Sequence, residues 1–344
     1  MTSEIALWEG LAPGSVPRGY AERALSVITE VSDVEFLWTG AAAFSGLAQK
    51  WNGHGAEKAE IKSAQMFCEI QLGQLLGPNP GAGGIAERDQ KGRIVKVPNQ
   101  NADSGIPPSW VTHFRRYHGF REPLIEAVRD GKRSRRSLLL LVDKWTMDSN
   151  PAPALSALDI RGGDFRSALA GGIEPGTVAL VLTDPPYATE YLPLWDALGE
   201  WSSEALVEGG SLVAYCGQSI LPQALERLGG HLRYWWTIAV IHGQSQMIPG
   251  KWVSAGWKPA LWFVRGNRSS NAMLADTVKG GTPRKTQPTG DDGTWAQSVD
   301  PLLPIISALT APGDLIVDPF AGSGTVGLAA TRLGRCFIGA DVNA

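Results

Sequence analysis

The sequence predicts an α/β protein: a mainly parallel sheet covered by helices on both faces, preceded by a mostly helical N-terminal domain. Three observations carry this prediction. From about residue 157 onward, short apolar runs ended by turn signals recur along the chain, and helical stretches separate them. The runs are apolar throughout rather than alternating, as strands buried on both faces require. Before residue 150 the apolar residues instead recur three and four apart, the spacing of amphipathic helices. A chain of 344 residues has room for two domains. The expected division is a helical accessory domain over 1–150 and a sheet domain over 151–344.

Taken in order, residues 21–50 and 56–76 carry the helical spacing, and Gly, Pro and Asn crowd residues 77–108 into a long loop. Pro108-Ser109 then starts a helix carrying Trp110, Phe114 and Tyr117, followed by a helix near 121–130 and the apolar run Leu138 to Leu141. The predicted strands are 178–183 (VALVLT), 211–216 (SLVAYC), 232–241 (LRYWWTIAVI), 259–265 (PALWFVR), 314–318 (DLIVD) and 335–341 (RCFIGAD). Helices are expected between several of them, near 190–206, 219–228, 300–310 and 324–333. Residues 266–295, poor in apolar side chains, read as a second long loop.

Hydrophobic residues at 43% and charged residues at 19% are ordinary for a chain that buries a full core. There is no run of about eighteen apolar residues, and the N-terminus lacks the basic start and apolar middle of a secretory signal, so a cytoplasmic protein with no membrane partner is expected. The three cysteines and five histidines are scattered, which points to neither a disulfide framework nor a metal site. The 13 tryptophans read mainly as core and domain-interface residues. A net charge of −3 gives no global case for a polyanionic partner, and only one basic patch stands out, between Val111 and Trp145. It reads either as a solvated helix face or, with Arg115 and Arg116 on the helix from Pro108 to Tyr117, as a helix laid on DNA.

The first chemically informative string is Thr183-Asp184-Pro185-Pro186-Tyr187, directly after the strand over 178–183. In an open α/β sheet the carboxyl ends of strands form the ligand crevice. A carboxylate at Asp184 and the Pro185 carbonyl can accept the two N–H bonds of a base amine and localise its lone pair. The prolines stiffen the turn and leave carbonyls to accept. Tyr187 offers a flat face to a base taken out of its stack. The competing reading is a turn with a helix-capping aspartate.

The second string is Asp318-Pro319-Phe320-Ala321-Gly322-Ser323-Gly324-Thr325, between a strand and a helix. Its glycines permit positive φ and close approach of a ligand to a helix N-terminus. Asp341 ends the next strand, where a carboxylate can accept both ribose hydroxyls, so the pair forms a nucleoside site. Gly322, Gly324 and Gly327 also satisfy the dinucleotide fingerprint, and the string alone serves NAD equally well. Only three residues follow Asp341, so the remaining strands of such a sheet must precede the glycine loop. That makes the sheet circularly permuted relative to a standard Rossmann order.

DPPY followed much later by DPFAGSGT, within GDLIVDPFAGSGTVGLAATRLGRCFIGADVN, closely resembles the β arrangement of amino-group (N6-adenine or N4-cytosine) DNA methyltransferases. The resemblance covers roughly residues 155–344. It implies a Rossmann-like methyltransferase sheet and a cytoplasmic enzyme that uses S-adenosylmethionine to methylate double-stranded DNA, without a metal. Adenine N6 is the expected target, cytosine N4 the alternative, and a non-catalytic DNA-binding regulator that keeps the cofactor pocket the reading from another class.

The resemblance implies that Asp184, Pro185, Pro186 and Tyr187 are catalytic. Asp318, Phe320, Ala321, Gly322, Ser323, Gly324 and Thr325 would line the cofactor pocket, and Asp341 would hold the ribose. Asp164 and Phe165, in the Gly-Asp segment at 163–165, would meet the adenine, and Gln297 with Ser298 would close over the methionine end. Target recognition would lie in about 242–298, with Lys279, Arg284 and Lys285 on DNA. The resemblance also allows a homodimer and a partner restriction endonuclease, as in restriction-modification systems.

Overall fold

The computed structural model describes residues 7–12, 14–50, 55–78, 106, 108–151, 153–248, 250–268, 274–280, 284–285, 295–296 and 299–343. The expected loop over 77–108 and the positions Gln297 and Ser298 lie almost wholly outside them. The chain falls into two compact units, the first running to Trp145 and the second from Thr146.

The first unit is helical: α1 (Tyr20–Ile28), α2 (Val34–Lys50), α3 (Gly55–Leu76), α4 (Pro108–Arg115), α5 (Arg121–Val128) and α6 (Arg135–Ser149), within which the division falls. Helix α3 is its axis. From Ser63 to Gly73 each residue is buried, because α1, α2, α4 and α5 all pack on it. Even its polar positions are internal, with Glu69 fully buried and ion-paired to Arg135 while accepting from Gln65 Nε2 at 2.8 Å. Trp110, Phe114 and Tyr117 pack in the same core.

That core overturns one expectation. Arg115 and Arg116, read from sequence as DNA contacts, are 8% and 5% exposed, and Arg116 forms a buried 2.9 Å ion pair with Asp143. Breaking such a pair costs about 3–5 kcal/mol, so its members hold the fold rather than await a ligand. The exposed basic side chains of this unit include Lys132, Arg133, Arg136 and Lys144.

The second unit is built on one sheet. Its strands are β1 (Ile160–Gly162), β2 (Val178–Thr183), β3 (Leu206–Tyr215), β4 (Arg233–Ile248), β5 (Val253–Val264), β6 (Thr277–Lys279), β9 (Leu315–Asp318) and β10 (Cys336–Asp341), while β7 (Arg284–Lys285) and β8 (Trp295–Ala296) pair as a separate small ribbon. Helices α7 (Phe165–Ala168), α8 (Leu192–Ala205), α9 (Leu221–Gly229), α10 (Leu302–Leu309) and α11 (Thr325–Arg332) connect them. The sheet order is β1-β10-β9-β2-β3-β5-β4-β6. The first five strands run parallel, β5 is antiparallel to β3 and β4, and β6 is parallel to β4.

Each face carries its own core, as the unbroken apolar runs require. On β2, Val181 packs into the layer holding Trp195, Leu198 and Leu228, while its neighbours Leu180 and Leu182 pack into the layer holding Leu302, Ile306 and Ala330. Strands β9 and β2 are adjacent although the chain visits four other strands of this sheet between them, which is the permuted order expected from sequence. The segment over 266–295 is not all loop: β6 extends the sheet at β4 and seats Val278 at 5% exposure.

Candidate active site

Both strings sit at the carboxyl ends of neighbouring parallel strands, β2 and β9, which pair from Val178↔Leu315 to Val181↔Val317. The residues that end these strands are bonded to each other: Thr183 Oγ1 donates to Asp318 Oδ1 at 2.6 Å. Asp318 Oδ1 also accepts from the Phe320 amide at 3.1 Å, which shapes the start of the glycine loop. Asp318 is fully enclosed, and burial pushes its carboxyl up to about 7, with the nearby charges of Asp184 and Asp341 adding and the two hydrogen bonds opposing. It welds the two strings together from inside and is not open to solvent.

Beyond Phe320 the loop exposes its backbone. Gly322 (φ 49°) has open space where a Cβ would stand, and Gly324 (φ 75°) caps α11 in the left-handed conformation. Gly327 serves packing: a Cβ there would meet the Phe337 ring at 2.7 Å and Leu158 at 2.9 Å. Asp341, at the end of β10, accepts from Gly322 N at 2.8 Å through Oδ2 and from Asn343 N at 2.8 Å through Oδ1. One bond to each oxygen leaves lone pairs on both for further donors.

The Gly-Asp segment joins the same rim, since Gly162 pairs with Asp341 and Gly163 N donates to Asp341 O at 2.9 Å. Gly163 (φ 117°) also faces open space. Phe165, 2% exposed, packs its ring 5.3 Å from Phe320. The Asp164 carboxylate caps α7 through Arg166 N at 2.9 Å and pairs with the Arg166 guanidinium, which holds its carboxyl below the usual range. Ser323 Oγ lies 3.1 Å from Thr325 Oγ1 at the helix start. The cradle therefore combines bare glycine backbone, an aromatic wall and a carboxylate at a strand end, a donor and acceptor set that fits a nucleoside.

Across β2 the Asp184 turn is equally built. The Trp195 indole, fully buried, donates to Pro186 O at 3.1 Å and pins the double-proline turn, so the Pro186 carbonyl is engaged within the fold, while the carbonyl expected to accept from an amine is that of Pro185. The Tyr187 hydroxyl donates to Asp184 Oδ1. Gly217 lets the Tyr187 ring lie close, because a Cβ there would stand 3.3 Å from it. Lys258 on β5 brings its ammonium to 2.9 and 3.1 Å from the two Asp184 oxygens. Sequence reasoning missed Lys258 and Tyr215, which approach the turn from β5 and β3; a lysine inside an otherwise apolar strand was the available signal.

The remaining expected contacts are only partly covered. Lys279 is exposed at the end of β6, beside Ile241 of β4. Arg284 and Lys285 form β7, of which the backbone alone is described. Among the described residues, no three His, Cys, Asp or Glu side chains gather as a metal-binding set, and no described helix is long and apolar enough to cross a membrane.

Residues 296–344, holding the glycine loop and Asp341, match the family model of the N6/N4 DNA methylases. In this segment the chain is similar to that family. Among curated methylases, it is 65% identical over 37 residues to the type II methyltransferase M2.DpnII of Streptococcus pneumoniae, covering 11% of this chain and 14% of that protein. It is 55% identical over 40 residues to the type II methyltransferase M1.MboII of Moraxella bovis, covering 12% of this chain and 15% of that protein. The matched stretches thus span about one seventh of these relatives' length. The crystal structure of the M1.HpyAVI–SAM complex aligns at 23% identity with a TM-score of 0.41, covering 54% of this chain and 92% of that one.

Proposed function

We propose that this protein is a methylase that uses S-adenosylmethionine to methylate the N6 amine of an adenine turned out of double-stranded DNA. One observation carries the reading: the Asp184 turn and the glycine cradle end adjacent strands and are tied by the Thr183–Asp318 hydrogen bond. An amine held at the first and a nucleoside held at the second are neighbours by construction. S-adenosylmethionine, when bound, supplies a sulfonium methyl open to attack by a nitrogen lone pair. Asp341 and the Gly322 backbone would hold its ribose, and Phe320 with Phe165 would wall the pocket. Asp184 and the Pro185 carbonyl accept the two amine N–H bonds and direct the lone pair outward, the proton released on methylation passing first toward the Asp184 carboxylate. Positioning of this kind supplies much of a transfer reaction's rate.

Residues 242–298 are proposed for target recognition. No Asp or Glu stands between Glu226 and Asp276, so β4 and β5 offer a polyanion no repulsion, and their outer end exposes Lys251, Trp252 (90%) and Met247 (64%). Lys279 extends this surface, and Arg284 and Lys285 are placed in it by sequence. The amine of cytosine N4 meets the same acceptors, so nucleoside mass spectrometry of mixed-sequence DNA after incubation with enzyme and S-adenosylmethionine distinguishes the two. N6-methyldeoxyadenosine is expected. N4-methyldeoxycytidine moves the proposal to the other base, and tight duplex binding without either product makes the chain a binding module.

A further inference from the structure

The Lys258 ammonium touches three groups of the base pocket at once. Besides bonding both oxygens of Asp184, it stands 4.7 Å from the centre of the Tyr187 ring and 5.1 Å from that of Tyr215. Lys258 and Asp184 side chains are 22% and 27% exposed, so the cluster opens to solvent on one side. Tyr215 is 4% exposed, and among the described residues its buried hydroxyl has no hydrogen-bond partner. A cation over an aromatic face occupies the place a stacked base would take.

We infer that Lys258 is a positioning residue of the base pocket: it keeps the Asp184 carboxylate ionised and aimed, and it fills the Tyr187 face until an incoming base displaces it. The inference rests on the methyl-transfer reading. Its first half follows from charge, because a cation in contact with a carboxylate favours the charged form, and only that form accepts both an amine proton and the Tyr187 hydroxyl. Its second half follows from strength, since a partly exposed ion pair is weak and a base stacked on tyrosine outweighs it. Among the described residues, the groups facing Asp184 include Tyr187 on its own turn, Tyr215 and Cys216 at the end of β3, Lys258 on β5 and Asp318 on β9. Burial pushes Cys216 up to about 12 and Tyr215 higher still, so neither titrates near neutrality. Asp318 does, at about 7.

Lys258→Met and Lys258→Arg are compared with wild type for methyl transfer to mixed-sequence duplex DNA across pH 5 to 9, with Lys258→Gln replacing Met should that variant not fold. Because the charge of Asp184 bears on Asp318, the same series is run on an Asp318→Asn background, where a limb that still moves belongs to Asp184. For Lys258→Met, kcat falls about tenfold, KM for DNA falls about two- to fivefold as the ring face is vacated, and the acidic limb of kcat moves up by about one pH unit. Lys258→Arg restores kcat and the limb. A neutral variant with wild-type kcat, KM and limb overturns the inference, as does one whose KM rises with the limb unmoved, the pattern of simple structural damage. Asp184→Ala, run in parallel, separates the two layers. If wild type transfers no methyl, or Asp184→Ala transfers as well as wild type, the underlying reading fails; if both behave as proposed and Lys258→Met is unchanged, only the role of Lys258 does.

Discussion

Asp318 shows how one side chain ties stability to the site. Its carboxyl is pushed from its ordinary range up to about 7, chiefly by burial. Below about pH 4 the folded and unfolded chains both hold this proton, so the neutral acid sits inside without penalty. Between about pH 4 and 7 the unfolded chain releases it while the folded chain keeps it, so stability declines as pH rises through that window and levels off above it. Asparagine keeps an oxygen for Thr183 and the Phe320 amide without the charge. Asp318→Asn should therefore flatten this part of the pH dependence and gain on the order of 1–4 kcal/mol over wild type at pH 8. Urea titrations at pH 5 and pH 8 check it, and an unchanged pH slope would rule the explanation out. At this scale the sequence marked two strings by residue type and order, and the structure brings them together at the ends of β2 and β9. It misread Arg115 and Arg116, since a basic run does not say which side chains turn inward to meet a carboxylate such as Asp143.

The glycine loop and its helix α11 show which backbone positions the element needs. Gly322 has room for a side chain and only its positive φ resists one, whereas Gly327 faces the Phe337 ring at 2.7 Å. Helix propensity alone favours alanine by about 1 kcal/mol, but overpacking typically costs about 1–3 kcal/mol. Gly327→Ala should therefore lower Tm by a few degrees, measurable by calorimetry; an unchanged or raised Tm means α11 sits farther from β10 than described. Element identity was legible wherever apolar runs were long: six predicted strands correspond to β2, β3, β4, β5, β9 and β10. What escaped were the short ones, β1 and β6 of three residues each and β7 and β8 of two, because pairing with β10, with β4 and with each other rather than local pattern makes them strands. β4 and β5 run farther than predicted, since their outer ends pair with each other from Gln246↔Ala255 to Ile248↔Val253 without the apolar signature of a core.

The second unit assembles its candidate site by topology. Thr183 and Asp318 lie 135 residues apart in sequence, yet parallel pairing of β2 with β9 makes them hydrogen-bonded neighbours. The permuted order was legible because the glycine loop follows most of the strands; the lysine from β5 was not, because an antiparallel strand two places from β2 reveals its contacts only when folded. The decisive measurement is transfer of labelled methyl from S-adenosylmethionine to DNA by Asp184→Ala, with cofactor affinity determined on the same preparation. Loss of incorporation by at least about a hundredfold, with cofactor affinity within about twofold of wild type, is expected if Asp184 holds the amine beside an intact cradle. Incorporation at the wild-type rate would remove the Asp184 turn from the chemistry.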